Sequence, residues 1–444
     1  MRPFAQIAYR CYRLAGAARH WVRRRFTEPG LVAVMTSLLA LTVGADIEHA
    51  LGYQVAAILG GLLLVAVCAA PFFRARFRVE RVLPRFGCVN EPMHYRVWLT
   101  NDTDRPQAGL EWLENFTQSP PNFLEFCERI RPSRYNRNFK LSSPLPSLRL
   151  ARARPSPIPA MPPRAAVDFL AEVVPLKRGP LHFTAATIAR PDPFGLFRAF
   201  RREPAPQSVL ILPRRYPLKQ LALPGRTRYQ HGGVALASGI GESEEFTALR
   251  DYRRGDSPRS IHWRSWARFG RPIVKEFQSE FFVRHALVLD TFCDVALDDV
   301  FEDAVSVAAS YACTVPDQDS LLDLMFVGPR TVCVTTGRNV GRTEQLLEVL
   351  AAVKPSREAR FAELAGLVTS HAASLSGCIL VLMAWDEPRR ELVRRLKKLR
   401  VPQHVLLLVP PGQRAPSDRG PVADQPDRFT CLESGRVAEA LAAL

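Results

Sequence analysis

The sequence lacks the cysteine patterns of a disulfide-stabilised or zinc-binding protein. Its nine cysteines are odd in number, are scattered over 444 residues and never occur in CxxC spacing. We therefore expect neither a disulfide framework nor a cysteine zinc site. Most of them lie in apolar runs, which predicts buried thiols in a reducing compartment. The nine are Cys11, Cys68, Cys88, Cys127, Cys293, Cys313, Cys333, Cys378 and Cys431.

Acidic residues and long uncharged runs are also scarce. With 47% hydrophobic and 23% charged residues, the composition excludes a many-span transporter and a disordered or fibrous chain. At about 150 residues per domain, the length predicts several domains. A net charge of +17 spread over one face would predict an anionic partner. The arginine excess is instead concentrated in residues 1–30 and 74–85, so we predict no nucleic-acid partner.

The two basic stretches flank two uncharged runs, Leu31–Ala45 and Gln54–Phe73. The second run is long enough to cross a bilayer. The first is short, and we expect it to reach across with Gly30 and part of the linker or by local thinning. The sequence therefore predicts a transmembrane helical hairpin over residues 30–73. Arginines on both outer flanks, with none in the turn, place both termini and the soluble domains on the cytoplasmic side of the membrane.

A cleaved signal peptide is the alternative for the first run, because Val43-Gly44-Ala45 fits a small-x-small cleavage site. Cleavage there would put the arginines that follow the second run on the outer side of the membrane. The positive-inside bias disfavours that arrangement.

Residues 1–29 form a basic segment in which apolar residues recur at steps of three and four. Two interpretations stay open: an amphipathic helix lying on the anionic inner leaflet, or a solvated tail whose arginines only fix the orientation. The apolar residues are Phe4, Ile7, Cys11, Leu14, Ala18 and Trp21.

Residues 79–213 change to short runs that alternate apolar and polar residues, with Pro, Gly and Asn between them. An antiparallel β-sandwich is predicted, with strands at 93–101, 166–176, 181–189 and 208–213. Within it, residues 117–164 are rich in Pro and Arg without periodicity and predict an inserted loop of no assigned function. The sequence RPDPFGLF at 190–197 predicts a turn that Phe194 and Phe197 pack onto the sheet.

Both signs of charge and aromatic residues interleave in residues 239–276, GIGESEEFTALRDYRRGDSPRSIHWRSWARFGRPIVKE. Guanidinium groups pair bidentately with carboxylates and stack on rings, so we expect a salt-bridged clasp between segments. The carboxylates would repel phosphate, which argues against a nucleic-acid interface here. His262 has no adjacent Ser or Cys nucleophile and is interpreted as a hydrogen-bonded structural histidine.

This segment, preceded by RPDPFGLF and VLILPRRYP, resembles the bacterial family called domain of unknown function fifty-eight. Trp266 departs from the family pattern, which has a small residue there. The resemblance implies a membrane hairpin, a β-sandwich and a von Willebrand factor A-like domain. It also implies association with MoxR-type AAA+ ATPases and transglutaminase-like membrane proteins, and no established activity. The matching residues are Glu245, Phe246, Leu249, Arg250, Tyr252, Gly255, Asp256, Arg259, Ile261, His262, Trp263, Ala267 and Arg268.

Apolar strands alternate with amphipathic helices over residues 284–444, which predicts a mainly parallel, doubly wound α/β sheet. The predicted strands are 285–290, 321–328, 331–336, 377–385 and 404–409. The predicted helices lie near 298–313, 342–353, 357–373, 388–399 and 434–443. The predicted fold is therefore multidomain: an N-terminal transmembrane helical hairpin, an antiparallel β-sandwich and a C-terminal doubly wound von Willebrand A-like domain.

The first of these strands ends at Asp290, in the sequence DTFCD. The von Willebrand A resemblance implies D-x-S-x-S at this point, binding Mg²⁺ with help from a Thr, an Asp and a partner's acidic residue. Asp290 is kept, but Phe292 and Asp294 replace the two serines. We predict a degraded or altered Mg²⁺ site whose candidate ligands are Asp290, Asp294, Thr343 and Asp386. The alternative is that Asp290 only caps the strand end and bonds backbone amides.

Two functions stay open. The first is a membrane-tethered scaffold without turnover, whose sheet edge contacts a MoxR-type AAA+ ATPase or another membrane-associated protein, with inner-membrane lipid as a further partner. The second is a metal-dependent hydrolase or phosphotransferase. GRNVGRT at 337–343 resembles a phosphate-binding loop but is one residue short and has Arg342 for Lys. Phe292 stands where aspartyl phosphotransferases have a second aspartate. Both departures favour the first function.

Overall fold

The computed structural model of the chain divides into two compact units, Met1–Arg214 and Arg215–Leu444. It describes residues 2–43, 50–117, 123, 126–127, 149–218, 245–253, 256, 258–278, 283–293, 297–314, 320–337, 343–357, 360–413 and 415–442. Several predicted features lie outside the described residues: the turn of the hairpin, most of the 117–164 insertion, Gly255, Asp294 and residues 338–342.

Three helices open the first unit: α1 (Arg2–Arg25), α2 (Glu28–Val43) and α3 (Ala50–Ala69), which continues into a 3-10 turn, Ala70–Phe72. Among the described residues, one helical segment, Gly52–Phe72, is long and apolar enough to cross a membrane, whereas Glu28–Thr42 is apolar but shorter. Helices α2 and α3 are in contact, with Ser37 Oγ donating to the carbonyl oxygen of Ala56 at 3.4 Å.

Helix α1 has two different faces. The tyrosine face packs inside the unit, where the rings of Tyr9 and Tyr12 lie 5.1 and 5.3 Å from the ring of Phe126. The apolar stripe that the sequence predicts faces outward, since Ile7, Leu14 and Trp21 are all more than half exposed. An exposed apolar stripe on a basic helix is typical of a helix in the membrane interface.

In the described part of this unit, nine strands follow and form two sheets. One sheet has the order β1-β3-β7-β5 and the other the order β2-β9-β8-β4-β6. All pairings are antiparallel except that of β2 with β9. Buried side chains from both sheets share one core, which confirms the predicted sandwich. The strands are β1 Phe77–Val82, β2 Phe86–Cys88, β3 Met93–Asn101, β4 Leu110–Phe116, β5 Ala151–Ala153, β6 Ser156–Ile158, β7 Ala166–Pro175, β8 Gly179–Pro191 and β9 Arg198–Leu212.

The prediction of a structureless insertion over 117–164 is wrong in its last part. Strands β5 and β6 lie there, each at the edge of one sheet. Met161 is 1% exposed and pairs with Gln107. Edge strands tolerate proline, because an edge residue has no ladder partner on its outer side. Pro157 therefore fits inside β6, although its presence in the sequence argued against a strand.

The predicted turn at 190–197 is confirmed. The Asp192 carboxylate accepts hydrogen bonds from the backbone amides of Phe194, Leu196 and Phe197 at 2.6–2.8 Å. Phe197 is buried and its ring lies 5.1 Å from that of Phe26. Phe194 is 53% exposed, so its predicted packing on the sheet is wrong. The turn packs against the chain that joins α1 to α2 instead.

Helix α2 begins in direct contact with this turn. The backbone amide of Thr27 donates to the carbonyl oxygen of Leu196 at 3.2 Å, and Thr27 Oγ1 donates to the carbonyl oxygen of Gly195. Gly30 lies so close that a Cβ atom there would overlap the carbonyl oxygen of Leu196. The turn therefore holds the first turn of α2 against the sandwich.

Replacing Gly30 with alanine is expected to weaken this contact by about 1–3 kcal/mol, the usual cost of overpacking. The measurement is hydrogen exchange of the detergent-solubilised chain, in which protection of peptides covering residues 190–199 should fall. The matched control is Gly60→Ala in α3, since a Cβ at Gly60 meets no atom within 4 Å. Equal protection in both variants would contradict the predicted contact.

The second unit begins with a two-stranded antiparallel sheet of β10 (Glu245–Asp251) and β11 (Ile273–Gln278), with helix α4 (Trp263–Phe269) between them in sequence. A six-stranded sheet follows, in the order β14-β13-β12-β15-β16-β17. Its strands are β12 Arg284–Leu289, β13 Leu321–Val327, β14 Thr331–Thr336, β15 Gly377–Leu382, β16 Gln403–Val409 and β17 Phe429–Glu433. Its helices are α5 Asp298–Thr314, α6 Thr343–Ala352, α7 Phe361–His371, α8 Glu387–Lys398 and α9 Val437–Ala442.

The six-stranded sheet is parallel except for β14, which runs antiparallel to β13. This confirms the predicted mainly parallel α/β architecture, and all five predicted strands are present. The sequence prediction missed β17, because this edge strand is short and its burial does not alternate.

All nine cysteines are free, but the expectation that most are buried is wrong. Cys293 and Cys378 are buried, whereas Cys11, Cys68 and Cys333 are exposed. Cys333 lies on the edge strand β14, whose residues are mostly half-buried or exposed. An apolar run in the sequence shows that a segment is hydrophobic, but not which of its side chains a neighbouring helix or sheet buries.

Candidate functional site

Asp290 lies where the order of the six-stranded sheet reverses. From β12 the chain continues to β13 on one side and later reaches β15 on the other. The carboxyl ends of β12 and β15 therefore form the topological switch point, where open α/β sheets bind ligands. Asp290 directly follows β12 and is fully buried. Asp386 follows β15 and caps helix α8, accepting a hydrogen bond from the backbone amide of Arg389.

The Asp290 carboxylate is paired with Arg389 of α8. Arg389 Nε donates to Asp290 Oδ2 at 2.6 Å, and Arg389 Nη1 donates to Asp386 Oδ2 at 2.6 Å. The backbone amide of Phe292 donates to Asp290 Oδ1 at 3.0 Å, and that of Met383 donates to Asp290 Oδ2 at 3.3 Å. One guanidinium thus joins the two strand ends. The two amide bonds are those expected if Asp290 caps its strand end, and the pair with Arg389 adds a contact that neither interpretation predicted.

Two phenylalanines enclose this ion pair. The Arg389 guanidinium carbon lies 4.8 Å from the centroid of the Phe361 ring, and the Phe292 ring meets Phe361 edge-on at 6.1 Å. Burial raises the pKa of the Asp290 carboxyl, while Arg389 and the two amides oppose that rise. Burial alone would lower the pKa of Arg389, but the pair with Asp290 raises it.

The described ligands of the predicted Mg²⁺ site do not fit the ion. Both carboxylate oxygens of Asp290 accept hydrogen bonds from backbone amides, and one of them also accepts from Arg389. Both oxygens of Asp386 accept hydrogen bonds from Arg389. A guanidinium 2.6 Å from the carboxylate would repel a divalent cation, and Phe292 offers it no oxygen. Among the described residues, no group of three or more His, Cys, Asp or Glu side chains could hold a metal.

The other two predicted ligands are less informative. Thr343 is the first residue of α6 and is half-buried. Among the described residues, Thr343 is not one of the hydrogen-bond donors to Asp290. Asp294 lies outside the described residues, as does most of GRNVGRT. The structure therefore brings together Asp290 and Asp386 of the predicted set, through an arginine.

An open cleft of about 570 Å³ lies directly beside the ion pair. Helix α7 contributes Phe361 and Ala365 to its lining, and α8 contributes Arg389, Glu391 and Arg395. Arg395 pairs with Glu391 at 3.1 Å and its side chain is 54% exposed. The cleft thus combines an apolar floor with charged groups that remain accessible to a partner.

The motif segment forms the predicted clasp. Arg250 donates from both terminal nitrogens to Asp256, at 2.7 and 2.8 Å, and Arg271 pairs with Asp251 at 3.1 Å. His262 hydrogen-bonds the hydroxyl of Ser265 through Nδ1 at 2.6 Å, so the structure places beside it a serine that the sequence analysis did not pair with it. Together these contacts close the connection between β10 and β11.

The remaining motif residues are distributed over this segment. Leu249 and Trp263 are 41% and 65% exposed, and the Trp263 ring stacks on that of Trp266 at 5.2 Å. The stack explains how a large residue fits where the resemblance implies a small one. Glu245 and Phe246 lie on β10, Tyr252 directly follows it, Arg259 lies in the 3-10 turn Pro258–Ser260, Ile261 bridges to Val274, and Ala267 and Arg268 lie on α4.

The bidentate contact lowers the pKa of Asp256 to about 2, first through Arg250 and then through the backbone amide of Arg253. Because the folded-state pKa lies below its ordinary value of about 3.9, this carboxylate stabilises the clasp above pH 4, and the contribution is lost as pH falls towards 2. Carboxyl NMR of ¹³C-aspartate-labelled chain should show a midpoint near 2. Arg250→Gln should return the midpoint towards 4, and an unshifted midpoint in that variant would contradict the assignment.

Arg389 is the residue that the sequence analysis missed. The available signal was its position three residues after Asp386, which is the spacing of an N-cap and its helical partner. Helix α8 has six basic residues, EPRRELVRRLKK. Which of them turns inward depends on how the helix packs on the sheet.

Comparisons with known proteins leave the family open. No family model matches the chain, and no curated protein matches it. Among solved structures, the chain aligns with a mutant of Salmonella alpha-2-macroglobulin at 16% identity and a TM-score of 0.19. The alignment covers 39% of this chain and 9% of that one. A likeness of this extent does not show a shared fold.

Proposed function

We propose that the chain is a membrane-tethered, cytoplasmic interaction module without turnover of its own, and that its partner is a MoxR-type AAA+ ATPase. The supporting observation is the Asp290–Arg389–Asp386 network beside an open cleft of about 570 Å³. The charges at the switch point are already paired within the protein. The neighbouring surface, with accessible arginine and an apolar floor, remains for a partner.

We also propose that the second unit carries a von Willebrand A-like domain of the family called domain of unknown function fifty-eight. A doubly wound sheet whose first strand ends in an aspartate supports this assignment. The motif residues that carry the resemblance support it as well, since Arg250 and Asp256 contact each other across the segment. In this interpretation, Arg389 supplies at the strand end the positive charge that the resemblance assigns to Mg²⁺.

The membrane anchor is proposed to be a hairpin of α2 and α3 in the bacterial inner membrane, with both termini in the cytoplasm. The apolar segment Gly52–Phe72 and the arginines on both outer flanks support this topology. Reporter fusions after residue 444 should report a cytoplasmic C-terminus. A fusion within residues 44–49 should report the outer side of the membrane.

The cleft is tested by reversing one charge on α8. Arg395→Glu is expected to weaken binding of a purified MoxR-type ATPase tenfold or more. In the proposal the accessible arginine pairs with an acidic group of the ATPase, and a like charge at that position is strongly unfavourable. Binding is measured by titrating the ATPase against the detergent-solubilised chain. Lys398→Glu is the matched control, since Lys398 lies on the same helix but is not among the residues that line the cleft. Equal binding by both variants would remove the cleft from the proposal.

A further inference from the structure

A second pocket, of about 180 Å³, lies in the first unit between the end of α1 and the β-sandwich. Helix α1 contributes His20, Arg23 and Arg24 to it. Arg149 and Arg152 enter from the chain around β5. Two elements far apart in sequence thus bring four arginines to one small pocket.

The described carboxylates near this pocket are already paired. Glu114 lines it, but its oxygens accept hydrogen bonds from Arg81 at 2.6 Å, Tyr95 at 2.7 Å and Trp112 at 3.0 Å. Glu111 pairs with Arg198, another lining residue, at 2.6 Å. The four arginines therefore give the pocket a net positive charge.

Arg24 is the pocket arginine whose hydrogen bonds are incomplete. Its Nη1 donates to Asn115 Oδ1, but its Nη2 is buried without a hydrogen-bond partner among the described residues. Burial, followed by the charge of Arg202, lowers the pKa of Arg24 to about 10. The pKa of Arg149 is lowered as well, first by burial and then by Arg23 and other arginines. An anion in the pocket would relieve this repulsion and accept the unpaired N–H.

The pocket lies near the start of the apolar part of the chain. Arg24 is four residues before Glu28, where α2 begins, and α1 exposes its apolar stripe of Ile7, Leu14 and Trp21. Given the membrane anchor of the proposed function, on which this inference rests, the pocket is at the level of the inner-leaflet headgroups.

We propose that this pocket binds the phosphate of an anionic phospholipid. Arginine guanidinium groups match phosphate oxygens in geometry and charge. The bound headgroup would connect α1 to the chain around β5, and so fix the orientation of the sandwich relative to the bilayer. A lipid headgroup and free inorganic phosphate present the same phosphate anion. The proximity of the pocket to α2 favours the lipid over a soluble phosphate.

The test titrates phosphatidylglycerol, phosphatidylcholine and inorganic phosphate separately into the full-length chain in neutral detergent, with tryptophan fluorescence as the signal. Phosphatidylglycerol should bind at least tenfold more tightly than either of the others. Arg149→Gln combined with Arg152→Gln should weaken its binding at least tenfold, since each arginine near a lipid surface contributes about fivefold. The matched control, Arg105→Gln with Arg330→Gln, removes the same charge outside the pocket and away from α1, and should change binding less than twofold.

Equal weakening in both double variants would show diffuse attraction and overturn the proposal, as would no weakening in either. Inorganic phosphate binding as tightly as phosphatidylglycerol would overturn the lipid as the ligand. Because the titration is performed in micelles, its result is independent of the reporter fusions and of ATPase binding. A failure of this site is therefore distinguishable from a failure of the proposed function.

Discussion

Replacing Asp290 with alanine is expected to destabilise the α/β domain by about 3–5 kcal/mol, because it leaves Arg389 as an uncompensated buried charge. The side chains of Asp290 and Arg389 are 0% and 7% exposed. Hydrogen exchange of the full-length chain should show a matching loss of protection in peptides from β12 and β15. Asp386→Ala is the control and should cost about 1 kcal/mol. It removes a helix cap and a partner of Arg389 that is 47% exposed, but leaves Asp290 to pair the buried guanidinium.

A double variant separates the stability contributed by the Asp290–Arg389 ion pair from the other contributions of Asp290. Asp290→Leu combined with Arg389→Met replaces both charges with apolar side chains of similar size, and such exchanges are often neutral or stabilising. The opening free energy that hydrogen exchange measures in β12 and β15 should therefore recover to within about 1 kcal/mol of that in the original chain. If the double variant were as unstable as Asp290→Ala, the backbone amides of Phe292 and Met383 would be the main contribution of Asp290, and the pair with Arg389 a minor one.

The same pair shows how far the sequence could predict the site. The end of an apolar strand placed Asp290 at the carboxyl edge of a parallel sheet, and that position is correct. The Mg²⁺ prediction rested on candidate oxygen ligands in nearby loops, but the group that approaches Asp290 comes from a helix. A buried arginine cannot be recognised in the sequence of a helix that carries five other basic residues, none of them buried.

The first unit shows a similar limit. Alternating apolar residues predicted β3, β7 and β8 correctly, because those strands have one buried and one less buried face. Strands β5 and β6 were missed because each has three residues, too few to show a period. The pocket at the end of α1 could not be predicted either, because its arginines come from α1 and from the chain around β5, two regions far apart in the sequence.

The last prediction concerns the buried pair at the centre of the sandwich. The side chains of Arg81 and Glu114 are 0% and 1% exposed and meet at 2.6 Å. Glu114→Ala should cost about 3–5 kcal/mol, because the Arg81 guanidinium would stay buried without its counter-charge. Hydrogen exchange should then show lost protection in peptides from β1, β3 and β4.

The matched control is Glu203→Ala, which removes a partly exposed partner of Arg201 and should cost at most about 1 kcal/mol. Glu114→Gln keeps the shape of the side chain and an acceptor for Tyr95 and Trp112, but it removes the charge. If the charge is what holds Arg81, this variant should lose most of the stability that alanine loses. A glutamine variant as stable as the original chain would mean that hydrogen-bonding shape, and not charge, accounts for the contribution of Glu114.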